Sequence, residues 1–263
     1  MEISSAQNAL FKQFLSLHES RGIRQHAQFI LAGQKIVNEV VKQYPQLISH
    51  VVVESDVILP SPLNTFPVAR LSKTLFQMLD ILGTHSPLLI CQLPEIFPWR
   101  WDQTECGLEV LLTLGDPGNL GAAVRSCVAF GATRIVLLKE CAHPFHPKAV
   151  RASAGACLKS QFVSGPSLAE LASHSFTNLI LLDMDGTRLD GFTWPENCRL
   201  LVGEEGPGLG SFTESPGLAN KPPQSGKLER IHIPMASGVE SLNAMVALSI
   251  ALYSRARQFH KRS

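Results

Sequence analysis

Three short stretches carry residue types that can do chemistry. The first, GDPGNLGAAVR at residues 115–125, sets Asn119 where a helix begins and Arg125 as the one cation on an otherwise apolar helix. At that position the Asn119 side chain can cap the helix or meet a ligand. An arginine on such a helix needs an anionic or hydrogen-bonding partner, and a structural ion pair meets that need as well as a ligand does. The second stretch, GEEGPGLG at residues 203–210, has four glycines that let backbone approach a ligand closely. It lacks the Gly-Lys-Ser/Thr ending of a phosphate loop, and Glu204 with Glu205 would repel phosphate. Two carboxylates beside open backbone suit a neutral or cationic ligand, a sulfonium among them, although a Gly-rich turn alone is more often only a turn. The third, IPMASGVESLNA at residues 233–244, leads into the last helix, with Ser241 expected as its N-cap and Asn243 as a second hydrogen-bonding side chain. The simplest account of that stretch is that Ser241 caps and Asn243 faces solvent.

Each stretch follows a predicted strand, the place where open α/β sheets build ligand sites. Apolar patterning predicts a strand at 108–114, a helix at 120–130 stopped by Gly131, and a strand at 134–138. This βαβ unit implies parallel strands. Further strands are expected at 179–182 and 199–202, and at 231–233, before a helix over 242–259. Both helices are apolar on nearly every face, so each must be covered on more than one side, either within the domain or by a second copy of the chain. Residues 1–95 alternate helices (near 10–15, 35–41 and 75–79) with strands (50–53 and 88–93), as a small α/β sandwich does. Pro94, Pro98, Trp99 and Trp101 mark a linker. The expected division is therefore 1–95, a linker over 96–106, and 107–263.

At 263 residues and 45% hydrophobic, the chain can bury a large core. Its apolar stretches fall short of the roughly 20 residues that cross a bilayer, and the N-terminus has no signal pattern, so a cytoplasmic protein with no membrane partner is expected. The six cysteines form no CxxC pair and read as reduced structural residues, not as a disulfide frame or zinc site. With 23 Lys and Arg against 22 Asp and Glu, overall charge carries no nucleic-acid signal. Any such surface must arise from clustering in space.

Taken together, the three stretches resemble the three motifs of the SpoU (TrmH-type) branch of SPOUT RNA methyltransferases. The resemblance rests on Asn119 to Arg125 with Ala129-Phe130-Gly131-Ala132, on Gly203-Glu204-Glu205-Gly206-Pro207-Gly208-Leu209, and on Ile233-Pro234-Met235 with Glu240-Ser241-Leu242-Asn243. Residues 147–156 look like the segment between the first two motifs, so the likeness covers roughly 108–257. Residues 1–95 look, less specifically, like the ribosomal-protein-like substrate-binding domain that precedes many SpoU catalytic domains.

The resemblance implies a Rossmann-like parallel sheet flanked by helices and closed by a deep trefoil knot, an obligate homodimer, and S-adenosylmethionine as methyl donor. The acceptor would be a ribose 2'-hydroxyl of structured RNA, ribosomal RNA ahead of transfer RNA. Carried over as catalytic are Asn119, Arg125, Glu205, Ser241 and Asn243. The cofactor would meet Gly203, Ile233 and Leu242, with Met235, Leu182 and Asp183 beside it. No metal is implied. The sequence departs from the pattern in a long 211–230 stretch, expected as a mobile loop at the entrance, in Ala244-Met245 after Ser-Leu-Asn, in Ser237-Gly238, and in Ala32 where related domains often carry Glu.

Two competing functions remain. The stretch LILLDMDGTRLD at 179–190 imitates the DxDGT nucleophile motif of haloacid-dehalogenase phosphatases, yet no aspartate follows Asp190 to complete a magnesium site. A non-catalytic knotted RNA-binding or ribosome-assembly protein is the other. His143 and His146, in HPFHPK, are expected on a surface loop, not as a metal pair. The cations Arg255, Arg257, Lys261 and Arg262, with His260, are expected on a solvated helix end or against RNA phosphate.

Overall fold

A computed structural model describes residues 1–85, 87–100, 106–174, 176–203, 209, 212, 228–239 and 241–260. In chain order the elements are β1 (Glu2–Ile3), α1 (Ala9–Ser16), α2 (Ser20–His26), β2 (Gln28–Leu31), α3 (Gln34–Gln43), β3 (Ile48–Glu54), β4 (Val68–Leu71), α4 (Lys73–Leu79), β5 (Leu88–Gln92) and β6 (Phe97–Pro98). There follow β7 (Leu108–Leu112), α5 (Pro117–Ala129), β8 (Arg134–Leu137), α6 (Pro147–Ala152), β9 (Phe162–Ser164), α7 (Leu168–Ala172), β10 (Leu179–Arg188), β11 (Cys198–Val202), β12 (Leu228–His232) and α8 (Ala244–His260). None of the described helices is long and apolar enough to cross a membrane.

The chain forms two compact units, Met1–Glu95 with Ala142–Cys157, and Ile96–Cys141 with Leu158–Ser263. This departs from the expected division in two places. Residues 142–157 join the first unit, and the supposed linker contributes β6, which pairs with β9 at the edge of the second sheet. Trp99 is buried in that second core, because an indole so close to an apolar sheet gains more from burial than from a linker's exposure. Trp101 lies outside the described residues.

In the first unit a mixed five-stranded sheet runs β1-β4-β3-β5-β2. The amphipathic spacing of α1 turns Phe11 and Phe14 onto one face, where they pack with Ile30, Val52, Leu75 and Phe76. All four residues of β2 are buried although it is an edge strand. The second face is covered by the segment leading into α6: Phe145 lies against Phe29 with ring centroids 4.8 Å apart. HPFHPK is therefore not the expected surface loop.

His143, only 5% exposed, accepts a hydrogen bond at Nδ1 from the Phe145 amide, which requires an unprotonated Nδ1. Burial, then the charges of Arg24 and His146, hold its pKa down to about 4 from the ordinary 6.5. The unfolded chain thus binds this proton first, so stability is full above about pH 6.5, falls as pH drops below it, and stops falling below about 4. At pH 5 the loss is roughly 2 kcal/mol. Burial also lowers the pKa of His18, His50 and His146, so urea unfolding at pH 7 and pH 5 should show a larger loss in the native chain than in His143→Gln, which keeps an acceptor but cannot take a proton. The difference between the two should be about the His143 share.

The second unit holds seven strands in the order β12-β10-β11-β7-β8-β9-β6, every pair parallel. β7, β8 and β11 are apolar runs, as strands covered on both faces are. One polar set interrupts them. Arg199 of β11, Glu109 of β7 and Arg134 of β8 stand in register on three adjacent strands. Glu109 accepts from Arg134 at 2.8 Å and from Arg199 at 2.9 Å, and the Arg199 guanidinium lies 4.9 Å from the Trp99 ring.

Two helices position the site. Helix α5 starts at Pro117, and its N-cap is Asp116, whose carboxylate accepts from the Asn119 amide at 2.8 Å. Asn119 is therefore inside the first turn and not the cap. Gly131, at φ +75°, ends the helix in the left-handed region, as expected. Helix α8 packs on α5, where the Ser126 and Ser249 hydroxyls meet at 2.8 Å. Its far end is tied down by Gln258, which bonds both backbone polar groups of Trp194, and by buried Arg255, which donates to the Glu196 carbonyl and lies over the Phe259 ring. Arg255 is thus part of the fold and not of a solvated tail, since its carbonyl partner is within the unit. The expected knot and the 211–230 loop run largely through residues outside those described.

Candidate functional site

A cavity of about 580 Å³ opens at the C-terminal ends of β10, β11 and β12. That is the rule for ligand sites in open parallel sheets, and the volume suits a nucleoside-sized molecule. β10 supplies Leu182 and Asp183, and the end of β11 supplies Gly203. The turn after β12 brings Ile233 and Met235, and the entry to α8 brings Ser241, Leu242 and Asn243. All six residues expected at the cofactor, and two of those expected to be catalytic, line this one space.

The others do not. Glu205 lies outside the described residues. Asn119 is half-buried and Arg125 exposed on α5, and neither lines the cavity. Arg125 is one residue from Ser126, on the helix that packs against α8. Among the described residues it has no hydrogen bond or ion pair, so the structural ion pair that would explain it otherwise is absent there. Asn243 takes the role expected of Ser241: its Oδ1 accepts from the Met245 amide at 3.0 Å and the Val246 amide at 3.3 Å, and α8 begins at Ala244. Asparagine displaces serine because the helix starts two residues later than the 3.6-residue pattern suggested.

β10 does something the pattern did not announce. Leu182 and Thr187 both pair with Ile231, so Asp183, Met184, Asp185 and Gly186 bulge out of the sheet between them. The bulge forms one wall of the cavity through Asp183 and Met184. Three contacts hold its shape. Asp183 pairs with Arg230 at 3.3 Å, the Asp185 amide donates to Asp183 Oδ1 at 3.2 Å, and His232 Nδ1 meets the Gly186 carbonyl at 2.7 Å. Gly186 packs backbone to backbone on β12, where a Cβ would lie 2.4 Å from the Arg230 carbonyl carbon, so only glycine fits. The DxDGT imitation is thus a bulged strand, not a strand running into a phosphatase loop and helix. His232 also lines the cavity. Sequence reasoning passed over it, and its only signal was one polar residue between Ile231 and Ile233.

Can such a cavity hold the expected methyl donor? Apolar Leu182, Ile231, Ile233 and Leu242 suit a purine, Gly203 leaves backbone open to a ligand, and the described lining holds one carboxylate and no lysine or arginine to oppose a sulfonium. These residues fit.

An all-parallel sheet with a mostly apolar cavity at the ends of its strands is the architecture of the α/β proteins that bind nucleoside-like ligands. The chain belongs to the SpoU rRNA methylase family, whose model matches residues 109–253. The ribosomal RNA small subunit methyltransferase G 2 of Syntrophobacter fumaroxidans is 35% identical over 97% of this chain, and the chain spans only 49% of that relative's length. The 23S rRNA (guanosine(2553)-2'-O)-methyltransferase RlmP of Bacillus subtilis is 26% identical, over 96% of this chain and 98% of its own. Among solved structures, the SpoU methyltransferase AviRb from Streptomyces viridochromogenes, in complex with the cofactor AdoMet, superposes with a TM-score of 0.75 at 22% identity over 97% of this chain and 99% of its own. At that identity the likeness bears on the fold.

Proposed function

We propose that this chain transfers a methyl group from S-adenosylmethionine to a ribose 2'-hydroxyl of ribosomal RNA, in the cytoplasm. The observation that carries the reading is the convergence of Leu182, Gly203, Ile233 and Leu242, from four separate segments, on one cavity at the strand ends. The names of the relatives favour ribosomal over transfer RNA. When bound, S-adenosylmethionine supplies a methyl group on a positively charged sulfur. The chain must then orient the acceptor oxygen and stabilise the negative charge that grows on it as its proton leaves. Arg125 takes the second task, meeting the 2'-oxygen or its adjacent phosphate. It does so as a charge and not as a base, since a guanidinium stays protonated in nearly all protein settings. Asn119, Glu205, Ser241 and Asn243 position ribose, cofactor and one another by hydrogen bonds.

Exposed Arg21 and Arg24 on α2 and exposed Lys148 and Arg151 on α6 belong to the first unit, where both helices pack on β2. This is the charge grouping that composition concealed, and it supports the first unit as the RNA-binding part. Mapping ribose methylation in RNA from cells with and without the gene tests the function. One ribosomal 2'-O-methyl group should vanish and return with the wild-type chain. A change confined to transfer RNA would refute the choice of substrate, and no change at all the activity.

The same reading includes a homodimer. Val246, Ile250 and Tyr253 are exposed and lie four and three residues apart along one face of α8, beside Ala122 and Ser126 of α5. A second copy covering this stripe answers the all-round apolarity of both helices. Ile250→Glu should weaken association by roughly 100-fold or more, because burying like charges across a two-fold contact costs several kcal/mol. Sedimentation equilibrium at micromolar concentration checks it, and an unchanged dimer mass would put the interface elsewhere.

A further inference from the structure

We infer that His232 is a cofactor-contacting residue, its Nε2 accepting a hydrogen bond from the adenosine part of S-adenosylmethionine. The inference rests on the reading that the strand-end cavity is the cofactor site. Its own basis is the tautomer. The Gly186 oxygen, 2.7 Å from Nδ1, is a carbonyl and can only accept, so Nδ1 carries the proton. In the neutral ring Nε2 is then an acceptor, and among the described residues nothing donates to it. The half-buried ring lines the cavity, so its Nε2 is within reach of whatever molecule fills that space.

The surroundings point to the nucleoside end of the cofactor. Asp183 and His232 are the only titratable side chains of the described lining, and Asp183 is already paired with Arg230. The wall beside His232 is apolar Leu182, Ile231 and Ile233, which suits a purine whose amino group or ribose hydroxyls donate. The bulge from Asp183 to Gly186 thus does two things: it shapes the wall, and its last carbonyl selects which ring nitrogen faces the ligand.

Two substitutions separate direct contact from support of the bulge. In His232→Asn the side-chain amide can replace Nδ1 at the Gly186 carbonyl but nothing replaces Nε2. In His232→Gln the amide reaches the Nε2 position instead. Calorimetric titration with S-adenosylmethionine and with 5'-methylthioadenosine, which lacks the amino-acid end, should give a dissociation constant raised about tenfold for both ligands in His232→Asn, roughly one charge-neutral hydrogen bond. His232→Gln should stay within about threefold of the native chain. Native affinity in His232→Asn overturns the inference and, with weakening in His232→Gln, marks a ring that only supports the bulge through Nδ1. Equal weakening in both variants also overturns it, because a group restored at the Nε2 position then recovers nothing. A loss seen with S-adenosylmethionine alone also overturns it, placing the contact at the amino-acid end. Met235→Arg, with its thermal unfolding recorded alongside, tests the underlying reading separately. A cation in the cavity should abolish binding, and a folded Met235→Arg chain that binds normally moves the cofactor site elsewhere whatever His232 does.

Discussion

Arg125→Ala should slow methyl transfer by at least about 100-fold, the range seen when one preorganised group facing developing charge is removed. S-adenosylmethionine affinity should be unchanged, because Arg125 does not line the cavity. Stability should hardly move either, since the side chain is exposed and makes no hydrogen bond or ion pair among the described residues. That combination is diagnostic. A structural arginine would cost stability when removed, and a cofactor ligand would cost affinity. Single-turnover transfer to the mapped RNA, measured with calorimetry of cofactor binding, reads both quantities on the same sample. Arg125→Lys keeps the charge but loses the planar fork, so it should recover only part of the rate. Near-normal turnover in Arg125→Ala would remove the residue from the mechanism and leave charge stabilisation to a group not yet identified.

Glu109→Ala should be the most damaging single change to the fold. The carboxylate is 1% exposed and Arg199 beside it 4%. Removing the acid leaves two in-register guanidiniums facing each other across β7, one of them fully inside the core. Breaking a buried ion pair from one side costs about 3–5 kcal/mol. For a chain of this size that lowers the thermal midpoint by roughly 10 °C. The triple change Glu109→Leu, Arg134→Met, Arg199→Met removes the charges together and should recover most of the loss, because an apolar replacement of similar volume avoids desolvating three ions. Differential scanning calorimetry of the single and triple variants decides the matter. If Glu109→Ala unfolds like the native chain, the register of β11, β7 and β8 given above is wrong.

Alternation and helical periodicity were enough to place β7, α5, β8, β11 and α8, because strands and helices buried on two sides leave long apolar runs in the chain. Gly131 was legible as a stop, since a left-handed residue after an apolar helix is nearly always glycine. Helix starts were less so. Both Asn119 and Ser241 looked like caps, and in both places a neighbour, Asp116 or Asn243, holds the amides instead. Several polar residues near a helix start can cap it, and which one does depends on where packing begins the first turn.

By itself, then, the sequence determined the α/β class, the motif residues and the family to which they point, because those depend on local periodicity and on residue types in fixed order. Only the tertiary structure decided that residues 142–157 fold with the first unit, that Glu109 sits between two arginines, and that Asp183 to Gly186 bulge outward over the cavity with His232 beneath. Each of these is a pairing between residues from 25 to more than 100 positions apart. Such pairs are chosen by strand register and by which face of a sheet needs covering, and neither quantity leaves a periodic trace along the chain.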